Sequence, residues 1–412
     1  MTASTPGAPA ENADPLAIPA GATLLHIGAP KTGSTALQSA ASKLRPQLVE
    51  NGVVYPLRGL NHQRGTSYLI GRTAEAWGGA HAKEEWWHQL RAAIAAAGDS
   101  RRLVSFEVIC EADIDAVRNV RAQMEGDVHV AIVVRSFASL LPSMWQQWLK
   151  TGYAGSLDTF LENALAEAPV VSIPGSDAFH QRDGHGLVER WCEVFGAENV
   201  TVVVLPNGGP SPLFPAFESM LGLPPGLLAS APVDGQEANR GMTVPEAAFA
   251  LEVNQYLERE GAARQDLRHL LWMGSYDRML ARRVPPAGEE RLALPEWARD
   301  ACERAGRHLI EDITSAGARV VGDVAALAEV PRTMANDALA PAPEVDTAVA
   351  VETLTGMFGA ATRRLRAAAE ATPAAPPPAA PRLARVASRD LARELARRAR
   401  RKARRALRLG GR

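Results

Sequence analysis

A short glycine-containing segment near the amino end of the chain carries the residue types that bind phosphate. Residues 28–35 read Gly-Ala-Pro-Lys-Thr-Gly-Ser-Thr, between an apolar run and a helical pattern. Backbone N–H groups at the start of a helix attract an anion, and glycine lets the backbone approach its oxygens closely. Lys31 adds a positive charge, and the hydroxyls add donors. The spacing predicts an anion-binding loop; the alternative interpretation is a tight strand-to-helix turn with an incidental lysine.

The lysine of this loop lies in a different place from that of the nucleoside triphosphate loop, GxxxxGK[ST]. Gly28 and Gly33 have the required separation, but Ser34 occupies the position of the lysine. Lys31 lies in the middle of the loop instead. This arrangement argues against a triphosphate held with magnesium and suits a smaller phosphosulfate. A P-loop small-molecule kinase, which needs an acidic magnesium ligand at a strand end, remains the alternative enzyme class.

Residues 26–38, His-Ile-Gly-Ala-Pro-Lys-Thr-Gly-Ser-Thr-Ala-Leu-Gln, resemble the 5'-phosphosulfate loop of the sulfotransferase family. Loops of that family read roughly PK[ST]G[ST]T. The resemblance implies transfer of a sulfuryl group from 3'-phosphoadenosine-5'-phosphosulfate (PAPS) to an acceptor hydroxyl, with no required metal. Lys31 would also stabilise charge on the bridging oxygen as the sulfuryl group leaves. The resemblance assigns five residues to the 5'-phosphosulfate: Lys31, Thr32, Gly33, Ser34 and Thr35.

A second phosphate-binding element is predicted after the most apolar run, residues 128–134. Arg135 ends this run, and Ser143 follows eight residues later in a helical pattern. Ligands bind at the carboxyl ends of central parallel strands, and an arginine fork suits a phosphate dianion. The resemblance assigns Arg135 and Ser143 to the 3'-phosphate of the donor and suggests Arg240 as a further contact. The alternative interpretation of Arg135 is a surface ion pair.

Glu107 is the first candidate for the general base that the acceptor hydroxyl needs. It ends Val104-Ser-Phe-Glu at the carboxyl end of the third predicted strand, on the same rim as the loop. Bacterial members of the family commonly have a Ser-Ser-Glu-like element there, so Ser-Phe-Glu is a small departure. An ion pair near a helix start is the alternative role. His62, in a polar loop after the second strand, is the competing base, and Glu111 and His26 rank below both.

Three further side chains on the helix of Ser143 could contact substrate. Trp145 and Trp148 are three residues apart and therefore share one face of the helix. They could flank the adenine or the acceptor, although core packing is the favoured interpretation. Lys150 could contact negative charge on the donor or the acceptor, and simple surface exposure fits it equally well.

Strand and helix patterns alternate along the part of the chain that must position these residues. The alternation predicts an α/β fold with a doubly wound, mostly parallel sheet, helices on both faces and a C-terminal helical extension. Predicted strands cover residues 23–28, 52–55, 102–106, 128–134 and 200–205. Predicted helices cover residues 33–50, 84–97, 114–125, 137–151, 186–196, 213–221, 243–260, 264–281, 295–316 and 345–371.

Composition is typical of a globular protein, with 46% hydrophobic and 22% charged residues among 412. The three cysteines are far apart, which predicts neither a zinc site nor a disulfide framework and favours a reducing compartment. No metal site is predicted. Five segments are predicted: a disordered leader (1–21), a sulfotransferase α/β domain (22–330), a helical extension (331–371), a Pro/Ala linker (372–381) and a basic helical tail (382–412).

Charge is distributed very unevenly along the chain. Residues 382–412 contain twelve Arg and one Lys against one Asp and one Glu, a net charge of +11, so the remaining residues carry −12. This tail could bind an anionic membrane surface, bind an acidic polymer or nucleic acid without sequence preference, or remain solvated. A non-catalytic, membrane-associated protein with a sulfotransferase-like body is therefore a second alternative function.

Neither a signal peptide nor a membrane-spanning run is recognised in the sequence. The expected location is the cytoplasm, including a peripheral position on the inner face of the cell membrane. The expected partner is a hydroxyl acceptor, with a saccharide or glycolipid as the favoured class, and no specific nucleic acid. The sequence does not identify the acceptor, because acceptor pockets are built from variable loops.

Overall fold

The computed structural model describes residues 15–72, 81–166, 179, 184–232, 240–262, 268–339, 346–371 and 393–398. Its strands are β1 (Thr23–Gly28), β2 (Val53–Val54), β3 (Arg101–Ser105), β4 (Val128–Val134), β5 (Val200–Val204), β6 (Leu294–Pro295), β7 (Arg319–Val321) and β8 (Thr333–Met334).

Helices connect and cover these strands. They are α1 (Ser34–Lys43), α2 (Arg45–Glu50), α3 (Gln63–Leu69), α4 (Glu84–Ala95), α5 (Ile114–Gln123), α6 (Phe137–Lys150), α7 (Leu157–Ala164), α8 (Leu187–Phe195), α9 (Leu213–Leu221), α10 (Val244–Arg259), α11 (Asp277–Arg282), α12 (Arg299–Ala316) and α13 (Thr347–Ala371). A π-helical segment, Arg268–Tyr276, precedes α11. Short 3₁₀ turns occur at Glu107–Glu111, Ala197–Asn199, Leu228–Ser230, Glu296–Ala298 and Val324–Ala328.

Six strands form one parallel sheet in the order β2-β3-β1-β4-β5-β7. The strands that follow β1 in the chain, β2 and β3, lie on one side of it, whereas β4, β5 and β7 lie on the other. Because all six strands run in the same direction, their carboxyl ends share one edge. The α/β class and the parallel sheet are thus as predicted, and the segments after β1, β3 and β4 meet at that edge.

The centre of the sheet is buried on both faces. Every residue of β4 is buried, and its side chains alternate between two apolar clusters. Val130 and Ile132 belong to one cluster, and Ala131 and Val133 belong to the other. Burial of a valine or isoleucine side chain contributes about 1.5–3 kcal/mol, so this run favours a central position over an edge position. The sequence reading of residues 128–134 as a doubly covered strand is confirmed.

The local predictions differ from the structure at a few identifiable points. All five predicted strands are present to within two residues, but helix 33–50 is broken into α1 and α2 at Leu44. Helices α3 and α7 and the small parallel pair of β6 with β8 were not predicted, because each is too short to show a clear period. Pro142 lies inside α6, which nevertheless continues to Lys150. Residues 264–267 of the predicted helix 264–281 lie outside the described residues.

The predicted segment boundaries need one correction at the amino end. Ile18 is buried and its N–H donates to the carbonyl of Met220 at 2.9 Å, so the packed chain begins before residue 22. Within the predicted extension, residues 333–334 form β8 and residues 347–371 form α13. The distribution of contacts along the chain divides it into two compact units, Met1–Ala360 and Ala361–Arg412.

Most of the predicted linker and tail lies outside the described residues: residues 372–392 and 399–412 are not described, and residues 393–398 are helical. In the described ranges, no helix combines the length and the apolar character needed to cross a bilayer.

Candidate active site

The turn between β1 and α1 has a backbone shape that exposes amide groups. Gly28 and Gly33 have φ angles of +115° and +90°, and Lys31 has φ of +63°, which non-glycine residues rarely adopt. Within the described chain, the N–H groups of Ser34, Thr35 and Ala36 at the start of α1 have no hydrogen-bonding partner. Together with the positive end of the helix dipole, these N–H groups form an anion-binding position.

Two loop hydroxyls bond to the loop itself. The Thr32 hydroxyl donates to the carbonyl of Ala29 at 2.5 Å, and the Ser34 hydroxyl donates to the same carbonyl at 3.4 Å. Both side chains are buried, whereas Gly33 and Thr35 are exposed. The hydroxyls of Thr32 and Ser34 therefore fix the shape of the turn. Thr35 is exposed and Lys31 is partly buried, so neither side chain is part of this internal bonding.

Three cationic side chains influence one another beside this turn. Nη1 of Arg135, which follows β4, donates to the carbonyl of Lys31 at 3.3 Å. Burial, reinforced by the charges of Lys150 and Arg135, lowers the pKa of Lys31 to about 8, while Glu107 opposes the shift. Burial also lowers the pKa values of Arg135 and Lys150. For Lys150, the negative charge of Asp277, 3.9 Å away, opposes this shift. A negatively charged ligand would relieve this repulsion.

Glu107 lies against the turn at the carboxyl end of β3. It begins the 3₁₀ turn Glu107–Glu111, and a buried amide from α1 holds it: Nε2 of Gln38 donates to Oε2 of Glu107 at 2.9 Å and to the Ser105 hydroxyl at 3.1 Å. A Cβ at Gly28 would lie far inside van der Waals distance of the Glu107 carbonyl oxygen. Glu107 itself is only partly buried.

A buried histidine lies behind this arrangement. Nδ1 of His26 is 2.8 Å from the Ser105 hydroxyl, and the ring meets Phe217 edge-on at 5.3 Å between centroids. Burial lowers the pKa of His26 to about 3, so the ring is neutral at pH 7. His26 therefore belongs to the core, and its Nε2 has no hydrogen-bonding partner among the described residues.

His62 does not have the polar, solvated environment that the sequence suggested. It is 3% exposed, its Nδ1 accepts the N–H of Ser105 at 3.0 Å, and its Nε2 donates to the carbonyl of Pro56 at 2.9 Å. Burial lowers the pKa of this histidine to about 4. With both ring nitrogens bonded to backbone, His62 joins the segment after β2 to β3. This geometry favours Glu107 over His62 as the base.

Arg240 is committed to an internal ion pair. Its two terminal nitrogens donate to the buried carboxylate of Glu246 at 2.6 Å each, and one also donates to the carbonyl of Arg283 at 3.1 Å. Arg283 in turn donates to Glu246, Glu289 and Asp346. The structure thus places Arg240 in a charge network at the start of α10, and no hydrogen bond joins it to the described part of the loop. Its suggested contact with the donor is not supported.

The remaining candidates are either partly buried or packed in the core. Ser143 is partly buried on α6, eight residues beyond Arg135. Trp145 is fully buried and its indole N–H donates to the carbonyl of Gly155 at 3.0 Å, which confirms the core interpretation. Trp148 is partly buried and meets Tyr153 edge-on. Glu111 pairs with Arg72.

Two residues of the site were missed by the sequence interpretation. Gln38 lies within the recognised motif, four residues after Ser34, and that spacing returns it to the side of the helix where the turn begins. Tyr55 follows β2; its hydroxyl donates to the carbonyl of Leu60 at 2.7 Å. Burial raises the pKa of Tyr55; the charge of Arg45 opposes this shift, and the charge of Glu107 adds a smaller increase.

Comparison of the chain with models of protein families, with curated proteins and with solved structures found no match. What the site can do is therefore inferred from its own residues.

Proposed function

We propose that this chain is a sulfotransferase that moves a sulfuryl group from PAPS to an acceptor hydroxyl. The observation that carries the proposal is the meeting of three groups at one edge of the sheet. These are a turn with free amides, a buried lysine near two further cations, and one carboxylate that a buried amide orients. The turn and the cations suit a polyanionic donor, and the carboxylate suits a hydroxyl that must lose its proton.

The donor would lie across β1 and β4. We interpret the sheet as doubly wound: the chain leaves β1 toward one side and leaves β4 toward the other, and ligands bind in the crevice at such a point. The 5'-phosphosulfate would meet Lys31, Thr35 and the amides of Ser34, Thr35 and Ala36. Arg135, with Ser143, would hold the 3'-phosphate, since its planar fork matches a phosphate dianion.

Transfer would proceed by in-line displacement, as in phosphoryl transfer. The acceptor oxygen forms a bond to sulfur while the bond from sulfur to the bridging phosphate oxygen breaks. Glu107 takes the hydroxyl proton, and adenosine 3',5'-bisphosphate leaves with the electron pair. Lys31 would stabilise the charge that builds up on the bridging oxygen. Gln38 holds one oxygen of Glu107 and so directs the other to the acceptor.

A saccharide or glycolipid is the acceptor class that we propose, because a carboxylate base resembles that of carbohydrate-directed members of the family. A cytoplasmic location accompanies the proposal. Cys110, Cys192 and Cys302 are all free and buried, which suits a reducing compartment.

Sulfate transfer to a cell extract tests the proposal. Purified protein is incubated with PAPS carrying labelled sulfate, and incorporation into lipid and polysaccharide fractions is measured. We expect Glu107→Gln to lower the rate by about 10²–10⁴-fold while adenosine 3',5'-bisphosphate still binds. Glu111→Gln is the matched control, because it changes a carboxylate of the same 3₁₀ turn that is paired with Arg72. Normal turnover by Glu107→Gln would remove Glu107 as the base, and the absence of any transfer would oppose the proposal.

A further inference from the structure

Helix α13 has one buried and one exposed apolar face. Val349 and Thr353 are each 1% exposed, and Gly356 packs so closely on Gly274 that no side chain would fit between them. The exposed residues are Val351, Leu354 and Phe358, at 52%, 51% and 72%. Their spacing of three and four residues places them on one side of the helix, which we call the outer face.

The outer face is a concentration of apolar side chains rather than a chance exposure. Elsewhere in the described chain, large exposed apolar residues such as Val49, Val284 and Trp297 are scattered singly, which is normal for a protein surface, and Leu57 and Leu60 form a smaller, less exposed pair. Helix α13 carries a further one, Leu365, at 72% exposure. Grouped exposed apolar residues mark a contact surface for a protein or a membrane.

Positive charge accompanies this face along the sequence. Arg363, Arg364 and Arg366 of the same helix are all exposed, and residues 353–369 contain no Asp or Glu. Beyond the Pro/Ala segment, residues 382–412 add a net charge of +11. The partner must therefore offer negative charge as well as apolar contact.

An anionic lipid bilayer offers both. Its headgroups attract arginine, and the boundary between headgroups and acyl chains accepts Leu and Phe side chains. A second copy of the chain would bring like charges together, and a nucleic acid would supply phosphates without an apolar layer. We infer that the outer face of α13 binds the surface of an anionic membrane, with the basic tail contributing long-range attraction. This inference does not depend on the proposed sulfotransferase activity.

Vesicle flotation with the full chain tests the inference. The vesicles are phosphatidylcholine alone or phosphatidylcholine mixed with phosphatidylglycerol. We expect binding only to the mixed vesicles, and weaker binding at high salt because headgroup attraction is screened. The double substitution Leu354→Ser and Phe358→Ser removes most of the outer face and should weaken binding by at least about tenfold.

Val284→Ser is the matched control, because Val284 is 88% exposed and lies outside α13. It should bind mixed vesicles as the unchanged protein does. Three results would overturn the inference. The first is equal binding of the double variant and the unchanged protein. The second is equal binding to both kinds of vesicle. The third is that the unchanged protein does not bind vesicles but forms a dimer or binds duplex DNA, and that the double variant loses this dimerisation or DNA binding.

Discussion

In the free protein, the positive charge of Lys31 carries an electrostatic cost. Its ammonium group is largely removed from water and lies near Lys150 and Arg135, and its backbone has the unusual φ of +63°. Strain and repulsion of this kind persist only where the surroundings impose them, and they concentrate at functional sites. A bound anion would attract the cations and so relieve their repulsion. Part of the binding free energy of the anion would come from this relief.

Replacing Lys31 should therefore stabilise the free protein. The lowered pKa of about 8, against 10.5 in the unfolded chain, means that the folded state holds its proton less tightly. Below pH 8 both states are charged, and the folded state bears the full penalty. Between pH 8 and 10.5 the unfolded state binds more protons, so stability rises with pH. We expect Lys31→Met to raise the free energy of unfolding by about 1–3 kcal/mol at pH 7, less so toward pH 10.5.

Urea unfolding at a series of pH values measures this effect. Lys83→Met is the control, since Lys83 is 65% exposed and its replacement should change stability little at any pH. A Lys31→Met variant that is less stable than the unchanged protein at neutral pH would show that Lys31 serves the fold rather than a ligand.

At the scale of elements, the contact between the β1–α1 turn and the 3₁₀ turn after β3 determines the site. Gly28 is where the two backbones meet, since nothing larger than hydrogen fits against the Glu107 carbonyl. Gln38 links the same elements through its side chain. Glu107, the proposed base, and the turn proposed to bind the anion are thus parts of one packed unit.

Gly28→Ala should disrupt that unit. The added methyl group would collide with the Glu107 backbone, and φ of +115° is strained for alanine, so we expect a loss of at least about 2 kcal/mol of stability. Gly126→Ala separates the two causes. Gly126 has a positive φ of +74° but open space around it, so its replacement by alanine should lower the free energy of unfolding by only about 1 kcal/mol. Equal losses of unfolding free energy for the two variants would show that the close contact does not matter.

The sequence predicted those parts of the site that are contiguous or lie at strand ends. The loop was recognisable because its residues adjoin one another, and Glu107 and Arg135 because each follows a β-rich run whose end lies on a common edge. His62 could not be assigned correctly, since its burial depends on Ser105 and Pro56, which pattern reading does not bring together. The ion pair of Arg240 could not be predicted for the same reason, because the sequence shows its partner Glu246 only as a residue of the first turn of α10.

At the scale of the whole molecule, the parallel sheet explains how a few residues that are far apart in the chain can form one site. Its common carboxyl edge brings segments from three distant parts of the chain to one place, and apolar clusters cover both of its faces. We propose that this edge binds a sulfonated nucleotide without a metal ion. Binding of the nucleotide can be tested before any acceptor is known.

Isothermal titration calorimetry with adenosine 3',5'-bisphosphate in the presence of EDTA is the most direct measurement. The expected result is saturable binding at one site per chain, weakened at least about tenfold by Lys31→Ala, in which a charge-assisted contact is lost. Failure of the unchanged protein to take up the bisphosphate, or tight binding of ATP that requires magnesium, would contradict the account.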